Sequence, residues 1–334
     1  MLPKDFRSKP AMTMDALTVV IPTYNRAAVL KKALDAYRMQ SAPELIRELI
    51  VVDDGSTDGT EAMVLQLSRE SSFPVRYLRQ SNKGPAAARN YGIREARSPI
   101  VLFTDSDIVP ERDLVSQHAE WHRESPQTSV AILGYVTWPA DPKPTPFMRW
   151  YGDEGPLFAY RKLQHKREVS FSNFYTCNVS LKTDFLRTCG QFDEDFKGAA
   201  YEDLELAYRL SKAGLRVLYN SRAIGHHHQF FLFADACRKA LGNGIAARVF
   251  LQKEAGRLLL EPRLKRRSRL WFRVAKWTAI GIATALKPAR RLLNSYVPLP
   301  WFIYRLFFWY DGTRRVDVQV PEYLGSASPL TGEP

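Results

Sequence analysis

Four short apolar runs recur along the first third of the chain: Leu17-Thr-Val-Val-Ile21, Leu49-Ile-Val-Val52, Val75 to Leu78, and Ile100 to Thr104. Runs this short and this rich in β-branched residues read as buried strands. Between them the spacing changes to that of helices. Arg26 to Gln40 carries Val29, Leu30, Ala33, Leu34 and Tyr37 on one face, a helix is expected from Asp58 to about Arg69, and a third runs through Ala86, Ala88 and Ile93. Strands alternating with helices at this period predict a mostly parallel sheet with helices on both faces. In such sheets ligands bind beyond the carboxyl ends of the strands.

The unusual polar groups fall at those ends. Pro22-Thr23-Tyr24-Asn25-Arg26 follows the first run, Asp53-Asp54 the second, and Asp105-Ser106-Asp107 the fourth. No Gly-x-Gly-x-x-Gly follows the first strand, which argues against a dinucleotide site. Asp105 and Asp107 stand at i and i+2, so an extended backbone projects them to one side. Two carboxylates held together repel, and a hard divalent cation relieves the repulsion while leaving positions open for phosphate oxygens. A lone Asp-x-Asp is as readily explained by a turn. Three polar clusters converging on one sheet edge favour a metal-diphosphate site.

Further along, a helix is expected over Asp113 to His122 and strands over Val130 to Trp138, Phe171 to Leu181 and Leu215 to Tyr219. Four prolines between Pro139 and Pro146 mark an irregular connection. A helix begins near Glu202-Asp203, with Leu204, Leu206, Ala207 and Leu210 on its apolar side, and stops at Gly214. Acidic residues in a first turn are favoured by the helix dipole alone, so Glu202 and Asp203 need no catalytic explanation by themselves. His226-His227-His228 follows the last strand. Neutral imidazole suits Mn²⁺ or Zn²⁺, but neighbours on an extended chain alternate sides, so at most one or two can face one point.

Composition bounds the remaining choices. Cys177, Cys189 and Cys237 are too few and too scattered for a disulfide framework or a Cys-ligated zinc site. The first 14 residues hold no apolar h-region, so no secretory signal is expected. The formal net charge is +13, yet residues 238–316 contain 18 of the 48 Lys and Arg and only 3 of the 35 Asp and Glu. The excess therefore belongs to a C-terminal segment. Arg263, Arg266, Arg269, Arg273 and Lys276 share a helical stripe there, with Trp271 and Trp277 off it, and an aromatic block follows over Val297 to Tyr310. Basic flanks with Trp and Tyr point to a segment lying on an anionic membrane leaflet, the alternative being aromatics packed on the catalytic domain with the arginines in solvent. No nucleic-acid module is visible, so nucleic acid is not an expected partner. A chain cut before Arg263 is expected to stay folded.

With these motifs assembled, the chain resembles the family 2 glycosyltransferases, inverting enzymes of the GT-A fold. The likeness runs from about Leu17 to His228. It is carried by Val-Val-Ile-Pro-Thr-Tyr-Asn-Arg26, Val-Val-Asp-Asp-Gly-Ser-Thr-Asp58, Asn-Lys-Gly-Pro-Ala-Ala-Ala-Arg-Asn90, Phe-Thr-Asp-Ser-Asp107, Gly-Gln-Phe-Asp-Glu194 and Tyr-Glu-Asp-Leu-Glu-Leu-Ala-Tyr-Arg-Leu210. The resemblance implies that Pro22 and Tyr24 border the nucleobase and that Asp53 accepts its imide proton, as for uracil or thymine. It places Arg26, Lys83 and Arg89 at the nucleotide, Asp105 near ribose and metal, and Asp107 on a Mn²⁺ or Mg²⁺ ion. Asp203 becomes the general base with Glu202 beside it, and His226, or His228 in its place, the additional metal ligand.

The expected organisation is an extension over 1–16, a nucleotide-sugar-binding half over 17–112, an acceptor-binding and catalytic half over 113–235, a basic amphipathic region over 236–320 and a tail over 321–334. The implied activity is transfer from a nucleoside-diphosphate sugar, UDP-sugar favoured, to a glycan or lipid-linked acceptor in cell-envelope polysaccharide or glycolipid synthesis, at the cytoplasmic face of a membrane. The competing readings are a sugar nucleotidyltransferase and a catalytically silent membrane-associated scaffold.

Overall fold

The computed structural model describes residues 15–154, 157–262, 282, 286, 291–295 and 301–308. The strands are β1 (Leu17–Thr23), β2 (Ile46–Asp53), β3 (Val75–Arg79), β4 (Ile100–Thr104), β5 (Ile108–Pro110), β6 (Val130–Thr137), β7 (Glu168–Val169), β8 (Asn178–Lys182) and β9 (Arg216–His227). They form one sheet in the order β3-β2-β1-β4-β8-β6-β9-β5, with β7 on the outer side of β9. The first four of that order are parallel, as the alternating sequence requires. β8 is antiparallel to both β4 and β6. β9 runs parallel to β6, and its end pairs antiparallel with β5.

The helices that cover this sheet are α1 (Ala27–Arg38), α2 (Thr60–Glu70), α3 (Pro85–Glu95), α4 (Leu114–Glu124), α5 (Pro146–Arg149), α6 (Thr183–Cys189), α7 (Glu202–Lys212), α8 (Phe233–Gln252), α9 (Glu254–Leu259) and α10 (Trp301–Phe308). Side-chain alternation along the strands divides the core in two. Leu17, Val19 and Ile21 of β1 join Leu49, Val51, Ile100 and Leu102 beneath α1, α2 and α4. Val20, Ile50, Val52, Val101 and Phe103 point the other way, beneath α3, α6 and α7. Both faces of the parallel strands are thus sealed, and the polar chain ends between them become the accessible edge.

Hydrogen bonds between buried polar groups join α4 to β8. His118 of α4 bonds Ser180 Oγ at 2.7 Å through Nδ1 and Asn178 Oδ1 at 2.9 Å through Nε2, and His122 Nε2 reaches the same Ser180 Oγ at 2.9 Å. Burial pushes the His118 pKa down to about 4 and that of His122 well below its ordinary value.

Three expectations change. The strand expected over Phe171 to Leu181 is only β8, because Ser170 accepts from Ser172 N–H and starts a short 3-10 turn over Phe171–Asn173. The strand expected to end at Tyr219 continues through a bulge: Gly134 pairs with Asn220 and Tyr135 with Ile224, so residues 221–223 are extra on β9. The third change concerns the C-terminal block expected at a membrane surface. Leu293, Ile303, Tyr304 and Phe307 are buried in a cluster with Trp138, Phe147, Trp150, Phe231 and Phe233. Apolar residues on one face of α10 thus find a protein partner. Trp271 and Trp277 lie outside the described residues, and no described helix is long and apolar enough to cross a membrane.

Candidate active site

Three loops at the carboxyl edge of the sheet are tied to one another before any ligand is considered. Asn25, which follows β1, adopts a left-handed conformation (φ 52°) that turns its amide toward the loop after β2. Its backbone N–H donates to Ser56 Oγ at 2.8 Å, and its Oδ1 accepts from Thr57 N–H at 2.8 Å. Asp54 organises the third loop by accepting from Lys83 N–H at 2.7 Å, Gly84 N–H at 2.9 Å and Gln80 Nε2 at 2.7 Å. Gly84 is required there: its φ is +93°, and a Cβ would stand 2.8 Å from the Lys197 carbonyl oxygen.

These loops surround a cleft of about 340 Å³. Pro22, Tyr24, Arg26, Arg89, Asp105 and Asp107 all line it. Arg26 NH1 donates to Asp107 Oδ2 at 2.7 Å. Arg89 is buried and bridges two carboxylates, Asp105 Oδ1 at 2.8 Å and Glu202 Oε1 at 3.0 Å, so it joins the loop after β4 to the first turn of α7.

The other expected residues stand differently. Asp53 is fully buried, with Oδ1 accepting from Ser56 N–H at 2.8 Å and Oδ2 from Tyr77 OH at 2.5 Å, and it does not line the cleft. Its two carboxylate oxygens thus serve the loop after β2 and Tyr77 of β3. Lys83 contributes its backbone N–H to Asp54, while the side chain is exposed and off the cleft.

The histidine run is also corrected. His226 points to Glu111, with Nε2 at 2.9 Å from Oε1, and His228 contributes a backbone N–H to the Asp107 carbonyl at 2.7 Å. His227 is the residue set in the cleft, with Nε2 at 3.8 Å from Asp107 Oδ1. The pairing of Ile108 with His227 across β5 and β9 fixes this choice, since the neighbours on β9 must face the opposite side. His227 is stacked on Phe231 (5.7 Å, 10°) and edge-on to Trp138 (5.3 Å), and burial lowers its pKa, which keeps the imidazole neutral.

Glu202 and Asp203 begin α7 behind the cleft lining. Tyr201 precedes them in a left-handed conformation (φ 68°) and stacks on Phe250 of α8 at 4.9 Å. Burial, then the neighbouring Asp203 charge, pushes Glu202 up to about 7 against the opposing pull of Arg89. Burial likewise raises the Asp203 carboxyl. Cys177 has its thiol pushed well above the usual range, first by burial and then by the charges of Asp105, Asp203 and Asp107. All three carboxylates therefore act on one point at the start of β8.

The donor set suits a hard divalent cation. Asp107 Oδ1 and His227 Nε2 stand 3.8 Å apart in the cleft lining, and the side chain of Asp105 is 35% exposed. Among the described residues no group of three or more His, Cys, Asp or Glu side chains converges on one ion. One or two protein ligands are the usual complement where substrate phosphates supply the rest. Sequence reasoning missed His227, Ser106, Ala199, Gln229 and Lys239, which also line the cleft. Period-two alternation separated His227 from its neighbours, but the face was set by the pairing with β5. Lys239 carries no local signal.

The chain belongs to the family described as Glycosyl transferase family 2, whose pattern matches residues 18–190. It is 35% identical over 234 residues to validoxylamine A glucosyltransferase of Streptomyces hygroscopicus subsp. jinggangensis (strain 5008), across 63% of this chain and 54% of that protein. It is 26% identical over 272 residues to chondroitin synthase of Escherichia coli, across 72% of this chain and 39% of that protein. The chain thus spans about half the length of the curated relatives it matches. Among solved structures, the mannosyltransferase PcManGT from Pyrobaculum calidifontis, in complex with GDP-Man and Mn²⁺, superposes with a TM-score of 0.56 at 21% identity over 87% of this chain and 85% of that one. S. aureus TarS 1-349 in complex with UDP gives 0.53 at 18% identity over 92% of each. These likenesses establish the GT-A-type fold.

Proposed function

We propose that the protein is an inverting glycosyltransferase that moves a sugar from a nucleoside-diphosphate sugar, with UDP-sugars favoured, to a hydroxyl of a glycan or lipid-linked acceptor in cell-envelope synthesis. The observation that carries this reading is the convergence of Asp105, Asp107 and His227 in a cleft walled by Pro22 and Tyr24. Family membership and the nucleotide complexes of PcManGT and TarS support it.

Asp107 and His227 would hold a Mn²⁺ or Mg²⁺ ion, and Asp105, on the same cleft wall, would serve the ribose and the metal. When bound, the cation neutralises the charge of the departing diphosphate. Tyr24, about half exposed (47%), stands with Pro22, Pro85 and Ala88 as an apolar wall for the nucleobase. Asp203 removes the proton from the acceptor hydroxyl as it attacks in line at the anomeric carbon, so configuration inverts. Its raised pKa makes it a stronger base, and its place outside the donor cleft suits a group acting on the acceptor. Arg89 and Glu202 keep the first turn of α7 fixed against Asp105. The basic excess over 238–316 supports peripheral attachment to the inner face of an anionic membrane.

A panel of nucleotide sugars incubated with Mn²⁺ tests the reading. The expected product is nucleoside diphosphate with the free or transferred sugar. Release of pyrophosphate from a sugar phosphate and a nucleoside triphosphate would move the protein to the nucleotidyltransferases, and no turnover or binding across the panel would leave a scaffold.

A further inference from the structure

Lys239 lies on α8, beyond residue 190 where the family pattern ends, and its half-buried side chain lines the donor cleft. Two other cations line that cleft, and both are engaged. Arg26 is held by Asp107 at 2.7 Å, and Arg89 lies between Asp105 and Glu202 at 2.8 and 3.0 Å. Among the described residues Lys239 has no carboxylate within ion-pair distance. Its ammonium stands 5.7 Å from the centre of the Phe231 ring. The same ring stacks on His227 at 5.7 Å, and His227 Nε2 is 3.8 Å from Asp107 Oδ1. Lys239, Phe231, His227 and Asp107 thus form a continuous series of contacts running from α8 to the expected metal corner. The charge of Lys239 is among those that act on the His227 imidazole.

A cation already paired must leave its partner before it can neutralise an incoming anion, and an unpaired one need not. The diphosphate of a sugar nucleotide is dianionic and gains further negative charge as it leaves. Charge that develops during the reaction is best met by a preorganised donor in a water-poor site. We propose that Lys239 binds the diphosphate of the donor and stabilises it as the leaving group, supplied by a helix outside the family-matched region. This rests on the nucleotide-sugar reading of the cleft and adds to it a residue that no motif marks. The position of α8 is independently secured, because Phe250 near its far end stacks on Tyr201 and Phe233 at its start is buried with Phe147. Lys239 is therefore presented by a fixed helix.

The test is calorimetric titration of the full chain in Mn²⁺ with UDP, GDP, CDP, ADP and dTDP, carrying the tightest forward together with its monophosphate. Lys239→Met keeps the stem over Phe231 and removes only the charge. It should weaken the diphosphate by roughly tenfold or more, the range of one lost charge-assisted contact, and shrink its advantage over the monophosphate by a similar factor. Lys239→Arg should restore most of the loss. The melting temperature should be unchanged in both. Wild-type affinity in Lys239→Met, or an equal loss for diphosphate and monophosphate, would overturn the proposal while leaving the nucleotide-sugar reading in place. If the unaltered protein binds none of the five diphosphates, the nucleotide-sugar reading itself fails and takes the role of Lys239 with it.

Discussion

At the scale of single residues, the proposed roles divide groups that bind from a group that does chemistry, and each assignment can be tested individually. Asp107→Ala should abolish Mn²⁺-dependent donor binding with the fold intact, since only Arg26 and His227, both at the cleft, face its carboxylate; undiminished binding in calorimetry would remove Asp107 from the metal site. His227→Ala should weaken Mn²⁺ more than His226→Ala does, because only His227 faces Asp107, and titration with Mn²⁺ in the presence of UDP reads the difference. Asp203→Asn should lower kcat by roughly 10² or more at nearly unchanged donor affinity, the usual scale for a general base. Retained turnover would shift that role elsewhere. The positions of Asp105 and Asp107 after β4 and of Glu202-Asp203 at the start of α7 were legible because periodicity defines both elements. Periodicity gave no sign of the contacts that hold Asp53 and the Lys83 backbone off the cleft lining, since which of two adjacent side chains enters a cleft depends on loop hydrogen bonds, nor of the facing of His226, since facing depends on strand register.

At the scale of elements, α4 is keyed to β8 by imidazoles rather than by apolar contact alone. In the unfolded chain His118 takes a proton below its ordinary pKa of 6.5, whereas in the fold it does so only near 4. Between those values the unfolded state binds more protons, so stability falls as pH falls through that window, by about 3 kcal/mol from this residue. Urea unfolding at pH 7, 6 and 5 should show the decline, and His118→Gln should reduce its slope, with the remainder coming from other buried histidines such as His122. An unchanged slope would show that His118 is protonated or hydrated in the fold. The parallel half of the sheet and helices α1 to α3 were readable from spacing to within a few residues. The ends of β8 and β9 were not, because a serine-capped turn and a bulge interrupt period-two alternation without changing composition.

At the scale of the whole molecule, the C-terminal aromatic block is structural as well as hydrophobic. Tyr304 and Phe307 of α10 are buried against Phe147, Trp150 and Phe233, and Phe233 N–H donates to Asn294 Oδ1 at 2.8 Å. The expectation that a cut before Arg263 is harmless is therefore replaced. That cut should expose the α5 and α8 faces and leave a protein that aggregates, and Phe307→Ala should cost about 3 to 5 kcal/mol, as large core truncations do. Thermal unfolding checks both, and a truncated chain with the native melting temperature would show the cluster to be dispensable. Composition revealed the block's hydrophobicity, but could not say whether lipid or protein would cover it. Only the position of α10 beside α5 and α8 decides that for Ile303, Tyr304 and Phe307.

The bulge at residues 221–223 of β9 lies just upstream of three identical side chains, and that order bears on how this chain tolerates change in length. A one-residue slip in a strand exchanges its two faces, which at most sites would replace a ligand with whatever stands next to it. Here a one-residue deletion or insertion upstream is either absorbed at the bulge, which keeps His227 opposite Ile108, or passed on, which brings His228 or His226 to that place, and in each case the cleft still presents an imidazole to Asp107. The run of histidines thus makes the proposed metal corner tolerant of one-residue changes in length that would disarm a site built on a single histidine.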